Sequence, residues 1–78
     1  MIHVKIQNIE KTLFEGDYDS LTSVNEAGIF DILSSHSNFI SLIKEKITLK
    51  TGTKSESIDI HSGVLKVSIN HINIFLGI

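Results

Sequence analysis

Apolar and polar residues alternate one by one along several short segments of this chain. In the first of them, Ile2, Val4 and Ile6 are separated by single polar residues. Successive side chains of a strand point to opposite faces of a sheet, so this alternation creates one apolar and one polar face. Fourteen of the 78 residues are isoleucine, a β-branched residue that loses side-chain freedom in a helix and packs well on a pleated sheet. The sequence therefore predicts half-buried β-strands.

The C-terminal half repeats this alternation four times, over residues 46–50, 58–61, 65–69 and 72–76. Turn-forming residues separate these segments: Thr51-Gly52-Thr53-Lys54, a tight break at Ser62-Gly63, and Asn70-His71. Glycine, asparagine and serine at such positions are typical of tight connections between strands. The pattern predicts four C-terminal strands connected as a meander.

The N-terminal half has weaker signals of the same kind. A turn over residues 8–11 leads into a segment through Phe14, and Gly16-Asp17 predicts a second turn before residues 18–24, which alternate less cleanly. These signals predict two more strands. Residues 25–43 are the least regular part of the chain.

A helix can be drawn through part of the irregular region, at Phe39, Leu42, Ile43 and Ile47. It would be too short to be stable by itself. Many short strands at near-even spacing instead predict an all-β fold, a small β-sandwich of two packed, mostly antiparallel sheets. The length fits a single domain over residues 1–78. Six residues on the apolar phase are predicted to point inward: Val4, Ile6, Leu49, Ile60, Val67 and Ile74.

Composition excludes several classes of partner and compartment. All seven basic residues are lysines, they are dispersed, and the net charge is −2, so no basic stripe can follow a nucleic-acid backbone. The apolar runs are far shorter than the roughly 20 residues of a membrane helix, and the start lacks the pattern of a signal peptide. The absence of cysteine excludes disulfides and thiolate metal sites and suits a reducing cytoplasm.

The residues that could support chemistry do not form a recognisable site. Four histidines occur without metal-ligand spacing, and the scattered carboxylates form no evident acid/base pair. The serines around His36, with Asp31, lie too close in sequence to form a nucleophilic triad, and no glycine spacing matches a phosphate-binding loop. A core this small supplies only about 3–5 kcal/mol, so apolar residues left outside it are expected to form a protein contact. The best candidates are Ile29, Ile40 and Ile43.

Several motifs, taken in order, resemble one family. The first turn Asn8-Ile9-Glu10-Lys11 is followed by a Phe-x-Gly at residues 14–16, a central segment at residues 26–39 with His36 on the family's histidine, a glycine-containing turn at Ser62-Gly63, and a closing strand at residues 72–76. This order is similar to that of the N-terminal β-sandwich domain of the F-type ATP synthase epsilon subunit. Four positions depart from the family pattern, since Ile9 and Ser34 replace prolines and Asp31 and Ser62 replace glycines. We therefore expect the loop at Ser34 and the turn at Ser62 to differ in shape.

The resemblance implies a non-catalytic rotor subunit of a bacterial F-type ATP synthase. Such a subunit sits at the foot of the central stalk, links the gamma subunit to the membrane c-ring, and supports the coupling of ion transport to ATP synthesis or hydrolysis. The resemblance implies no catalytic, cofactor or metal site, no small-molecule substrate and no membrane insertion. It implies a position on the cytoplasmic face of the bacterial inner membrane. The residues it implies as contacts with the gamma subunit or the c-ring are Asn8, Glu10, Gly28, Ile29, His36, Ser37 and Asn38.

Some alternatives stay open at this point. The family usually continues into a C-terminal helical hairpin, whereas this sequence ends at Ile78, and it is equally compatible with a naturally short protein and with part of a longer one. The coupling ion, proton or sodium, and the oligomeric state of the isolated domain are also open. Residues 36–39 lean toward the divergent second ATPase operon of some bacteria. The competing interpretation is a free-standing β-sandwich interaction module whose motifs arise from shared turn chemistry.

Overall fold

The computed structural model describes residues 1–77. Within them it contains seven strands and no helix: β1 (Ile2–Gln7), β2 (Thr12–Tyr18), β3 (Ser20–Asn25), β4 (Gly28–Leu33), β5 (Phe39–Thr51), β6 (Lys54–Ser68) and β7 (His71–Leu76). The predicted all-β fold is confirmed. Nothing in residues 1–77 forms a helix of the length and apolarity that crossing a membrane requires.

The seven strands form one continuous sheet in the order β2-β1-β7-β6-β5-β3-β4. Only the β1–β7 pair is parallel, and the other five pairs are antiparallel. Ile6 of β1 and Leu21 of β3 belong to the same buried cluster although three strands separate them in the sheet. The sheet therefore folds over on itself, and the two layers of the predicted sandwich are its two halves. The first half contains β2, β1 and β7 with the adjoining parts of β6 and β5, and the second half contains β3 and β4 with the remaining parts of β6 and β5.

The fold line crosses β5 and β6, which are 13 and 15 residues long. The register between them shifts at Lys44/Glu45, where His61 is the extra residue on β6. Glu45 has a left-handed φ of 71°, and the β3–β5 register shifts beside it. A bulge bends a strand and increases its twist. The buried Ser23 hydroxyl supports this bend by donating a hydrogen bond to the Lys46 carbonyl oxygen at 2.8 Å.

The core lies between the two halves of the sheet and is almost entirely aliphatic. Of the six residues predicted to point inward, Val4, Ile6, Leu49, Val67 and Ile74 are buried, and Ile60 is partly buried against them. Each fully buried aliphatic side chain contributes about 1.5–3 kcal/mol relative to an exposed one. The alternation in sequence therefore identified the inner face correctly.

Two predicted turns are wrong. Ser62-Gly63 lies inside β6, so residues 58–61 and 65–69 do not form two strands, and the C-terminal half has three strands instead of four. In β6 the inward-facing residues have even numbers up to Ile60 and odd numbers from Gly63. One extra residue in a bulge is enough to shift the inward-facing positions in this way, so no turn is needed. Gly16-Asp17 likewise continues β2, because it pairs with β1 without interruption.

The irregular region also differs from the prediction in part. Residues 28–33 form the edge strand β4, and the helix considered through Phe39 is instead the start of β5. Ile29 and Ile40 are exposed as predicted, at 76% and 68%. The prediction for Ile43 is wrong, because its side chain is only 2% exposed. It occupies the inward phase of β5, shared with Ile47 and Leu49.

Candidate protein-contact surfaces

An exposed apolar row crosses three neighbouring strands on the outer face of the first half of the sheet. It consists of Leu42 on β5, Val64 on β6 and Phe75 on β7, which are direct cross-strand partners. They are 72%, 39% and 49% exposed. Directly opposed side chains on one face of a sheet lie about 4.5–5.5 Å apart, so the apolar row is a continuous surface. Ile40 extends it along β5.

The turn between β1 and β2 borders the Phe75 end of the apolar row. Phe75 pairs with Gln7, and Asn8 and Glu10 share a shallow concavity with Leu76 and Gly77. The side-chain oxygen of Asn8 accepts hydrogen bonds from the backbone N–H groups of Glu10 and Lys11, at 2.8 and 2.9 Å. An asparagine that binds the backbone in this way replaces the rigidity that proline gives a turn. The predicted contact residues Asn8 and Glu10 are thus presented on a fixed turn.

The turn between β3 and β4 borders the opposite end of the apolar row. Residues 25–27 share an open concavity with Ile40 and Leu42, and Asn25 donates a hydrogen bond to the Ser41 hydroxyl at 3.2 Å. Gly28 follows with a φ of 118°, a conformation that favours glycine. Gly28, another predicted contact residue, therefore has a backbone role at the edge of this surface.

Ile29 belongs to a different surface. It lies on the edge strand β4 opposite Val24, in a concavity on the outer face of the second half of the sheet. Thr22, Thr48, Lys46 and Lys50 also line this concavity. The surface is a mixture of one exposed aliphatic side chain, hydroxyls and lysines. It lies across the sandwich from the apolar row.

The loop of His36 connects β4 to β5. Nδ1 of His36 donates a hydrogen bond to the Ser37 carbonyl oxygen at 2.7 Å, and its ring packs edge-on against Phe39. Ser35 donates its N–H to the Asn70 side chain at 2.6 Å, which ties the loop to the turn before β7. Ser37 and Asn38 are exposed. The loop lies at the other end of β7 from the Asn8 turn, so the seven predicted contact residues do not form one cluster.

Asp31 and His36 have separate hydrogen-bond partners. The Asp31 carboxylate accepts a hydrogen bond from the Thr22 hydroxyl and does not orient the imidazole. Nδ1 of His36 is already used by a backbone carbonyl. In residues 1–77 no three histidine, cysteine, aspartate or glutamate side chains are grouped so that they could hold a metal ion.

Sequence reasoning missed a charged group on the outer face of the first half of the sheet. His3 lies on the polar phase of β1 as predicted, but both of its ring nitrogens contact carboxylates, Asp17 at Nδ1 and Glu15 at Nε2, each at 2.8 Å. Hydrogen bonds that the ring donates to Glu15 and Asp17 raise the pKa of His3 above its ordinary value of 6.5. The sequence did not signal this group, because an uninterrupted hairpin that turns over residues 8–11 would place residue 3 opposite residue 16. The register shift between Ile6 and Gln7 moves the partner to residue 17.

Comparisons with known proteins give consistent results for this chain. The family model described as "ATP synthase, Delta/Epsilon chain, beta-sandwich domain" matches residues 1–76. The chain is 30% identical to the ATP synthase epsilon chain of Caulobacter vibrioides, covering 85% of this chain and 78% of that one. It is 38% identical to that of a Nitratiruptor species, covering 88% and 55%, and 27% identical to that of Leptospira borgpetersenii, covering 94% and 58%.

Two solved structures share the fold. A chain of the Euglena gracilis mitochondrial ATP synthase, in a structure of OSCP, F1 and the c-ring, superposes with a TM-score of 0.87 at 14% identity, over 96% of this chain and 49% of that one. A chain of the Tetrahymena thermophila mitochondrial ATP synthase, in a structure of the central stalk and c-ring, gives 0.78 at 13% identity, over 96% and 62%. The chain spans little more than half the length of most of these proteins.

Proposed function

This chain belongs to the delta/epsilon chain family of ATP synthase subunits, as the N-terminal β-sandwich domain of an epsilon chain, and from that membership we propose that it works as a non-catalytic part of the rotor. In this role it joins the gamma subunit to the c-ring and supports the coupling of ion transport to ATP synthesis or hydrolysis. The complex is associated with a membrane, and we place the chain on the cytoplasmic face of the bacterial inner membrane.

One observation carries the proposal, the match of the family model to residues 1–76. These residues include all seven strands, so every element of the domain is accounted for by the family. The free-standing interaction module is not favoured, because shared turn chemistry alone would not produce a match over the whole domain. The accessory role further predicts that the purified chain hydrolyses no ATP, which a phosphate-release assay with MgATP measures.

A part that joins two partners needs two separate contact surfaces, and the sandwich offers them on opposite sides. We assign the gamma subunit to the apolar row, because an exposed apolar surface is stabilised when another folded protein covers it. Asn8 and Glu10 flank this surface at one end and Gly28 at the other. His36, Ser37 and Asn38 precede β5 on the same half of the sheet.

We assign the c-ring to the surface around Ile29. Lys46 and Lys50 lie beside this side chain, with the hydroxyls of Thr22 and Thr48. A largely polar surface with one exposed aliphatic residue suits the polar loops of a membrane ring better than it suits a broad apolar partner. The two assignments make separate predictions for variants on the two sides.

The test is co-assembly of the chain with its cognate gamma subunit and with the cognate c-ring, measured by size-exclusion chromatography and light scattering. Leu42→Asp should weaken binding to gamma, and Ile29→Asp should weaken binding to the c-ring, because a charge in a desolvated contact is costly. His36→Asp should weaken binding to gamma as well. Each variant should keep the strand-type circular dichroism spectrum of the parent, since Leu42 and Ile29 are more than two-thirds exposed.

The matched control is Ile69→Asp, which places the same charge at an equally exposed isoleucine (74%) in the turn between β6 and β7. It should assemble like the parent chain. Normal assembly of the Leu42→Asp and Ile29→Asp variants would show that these two surfaces are not the contacts. If the parent chain bound neither the gamma subunit nor the c-ring, the proposed role as a rotor part would be contradicted.

A further inference from the structure

His3 occupies a position between two carboxylates on the neighbouring strand. The Nδ1–Asp17 and Nε2–Glu15 distances are both 2.8 Å, and the three side chains are 36–63% exposed. The His3 backbone N–H donates to the Asn70 carbonyl oxygen at 2.7 Å, which fixes the base of the side chain. On the other side, the His71 ring from β7 meets the His3 ring edge-on with centroids 5.8 Å apart.

The geometry requires two protons on the His3 ring. A carboxylate oxygen only accepts hydrogen bonds, and a neutral imidazole has a single N–H. Two simultaneous contacts of hydrogen-bond length to two carboxylates are therefore satisfied only by the imidazolium form. We propose that protonated His3 holds the edge strand β2 onto the sheet through Glu15 and Asp17, and that this His3 bridge is released when the ring loses its proton.

The position of β2 explains why one side chain can have this effect. β2 is one of the two edge strands, and within residues 1–77 β1 is the only strand paired with it. Glu15 and Asp17 are two residues apart on the same face of β2, roughly 7 Å apart along the strand. When the ring loses its proton, the attraction between His3 on β1 and the two carboxylates on β2 is lost. β2 is then held less tightly on its neighbouring strand.

The other charged and titratable groups near His3 do not replace it. On β1, Lys5 shares its face and lies directly opposite Glu15, which leaves Asp17 without a lysine partner. On β7, His71 lies opposite His3 and the residue opposite Lys5 is the neutral Asn73. After loss of the His3 proton, Lys5 is the single lysine on these strands beside the two carboxylates.

The direction of the pH dependence follows from the raised pKa of His3. The His3 bridge is fully present below 6.5, the ordinary value of the unfolded chain, and it is lost as the pH rises through the higher pKa of the folded chain. The attachment of β2 should therefore weaken as the pH rises above 6.5 and through the pKa of the folded chain. Added salt should weaken it too, because the group is accessible to solvent.

Two measurements on the 78-residue chain test this. The first is a titration of the His3 ring by nitrogen-detected NMR, which distinguishes imidazolium from either neutral tautomer. The His3 midpoint should lie above 6.5 and should fall in the Glu15→Gln/Asp17→Asn double variant. The second is hydrogen exchange of the β2 amides, corrected for the intrinsic pH dependence, which should become about two- to fivefold faster above the midpoint, the scale expected of exposed ion pairs.

The matched control is His61→Gln, because His61 is an exposed histidine whose side chain makes no hydrogen bond within residues 1–77. His3→Gln should give the fast β2 exchange at every pH and remove its pH dependence, whereas His61→Gln should leave both unchanged. A His3 midpoint at or below 6.5, or β2 exchange in the parent chain that does not change across the midpoint, would overturn the proposal. Since none of these measurements involves a partner subunit, they are independent of the rotor assignment.

Discussion

Adding one methyl group at Gly63 should destabilise the fold strongly. Gly63 is buried in β6 opposite Leu76. A Cβ built at this position would lie 3.0 Å from the Phe75 carbonyl oxygen, 3.2 Å from a Leu76 methyl carbon and 3.6 Å from Ile43. The nearest atom belongs to the backbone of a paired strand, so it can move away only if β7 shifts. The Gly63→Ala variant therefore has to separate β6 from β7 locally or distort the end of the core.

The expected cost follows from comparison with other overpacked cores. Extra methyl groups in a well-packed interior cost about 1–3 kcal/mol, and a core of this size supplies only about 3–5 kcal/mol in total. For a domain of 60–100 residues each kcal/mol lowers Tm by about 4–8 °C. Gly63→Ala should therefore remove a large part of the stability and lower Tm by roughly 5–20 °C.

Urea unfolding followed by circular dichroism measures this loss, with Gly16→Ala as the matched control. A Cβ at Gly16 would also be close to a neighbour, at 3.2 Å, but that neighbour is the end of the Tyr18 side chain and not a backbone atom. Gly16→Ala should therefore cost less than Gly63→Ala, because a side-chain end gives way more easily than the backbone of a paired strand. If Gly63→Ala and the parent chain had the same free energy of unfolding, β7 would be able to move away from the added methyl group at no cost, and this prediction would be refuted.

Three further outcomes are expected from the same urea assay. Ile43→Ala should cost about 2–5 kcal/mol because the side chain is buried, whereas Ile40→Ala should cost less than about 0.5 kcal/mol; similar costs would contradict the observed phase of β5. His61→Ala should leave stability unchanged, but deletion of His61 should destabilise the chain, because the bulge needs an extra residue and not its side chain. Asn8→Ala should cost about 0.5–2 kcal/mol, since two N–H groups in the first turn lose their acceptor; no loss would show that the turn is held without it.

The alternation of apolar residues predicted most of the fold because burial and strand geometry share the period of two. It assigned the inner face of β1, β7 and both parts of β6 correctly. It did not show that residues 58–68 lie in one continuous strand, β6. The apolar residues switch from even to odd positions there, and both a turn and a bulge produce such a switch. What distinguishes them is pairing with β5 across the bulge, a long-range property that a local pattern does not contain.

The candidate surfaces were less predictable for a related reason. Ile40 and Ile43 have the same chemistry and are three residues apart, yet one is exposed and the other is buried. The apolar row was missed because Leu42, Val64 and Phe75 are neighbours only through the register of three strands. The same is true of His3 with Glu15 and Asp17. Exposed side chains that act together can be identified only after the strand pairs are known.

The bulge in β5 and β6 links the fold to the proposed role. Because the two longest strands bend there, their first and last parts belong to opposite layers. Leu42 and Lys46 are on the same strand but contribute to different outer surfaces, the apolar row and the surface around Ile29. The segment between them contains the bulge, and the Ser23–Lys46 hydrogen bond holds it. The two proposed contact surfaces are joined through a bent, hydrogen-bonded strand pair and so have a fixed relative orientation. The proposed role, transmission of rotation between two partners, requires such a fixed orientation.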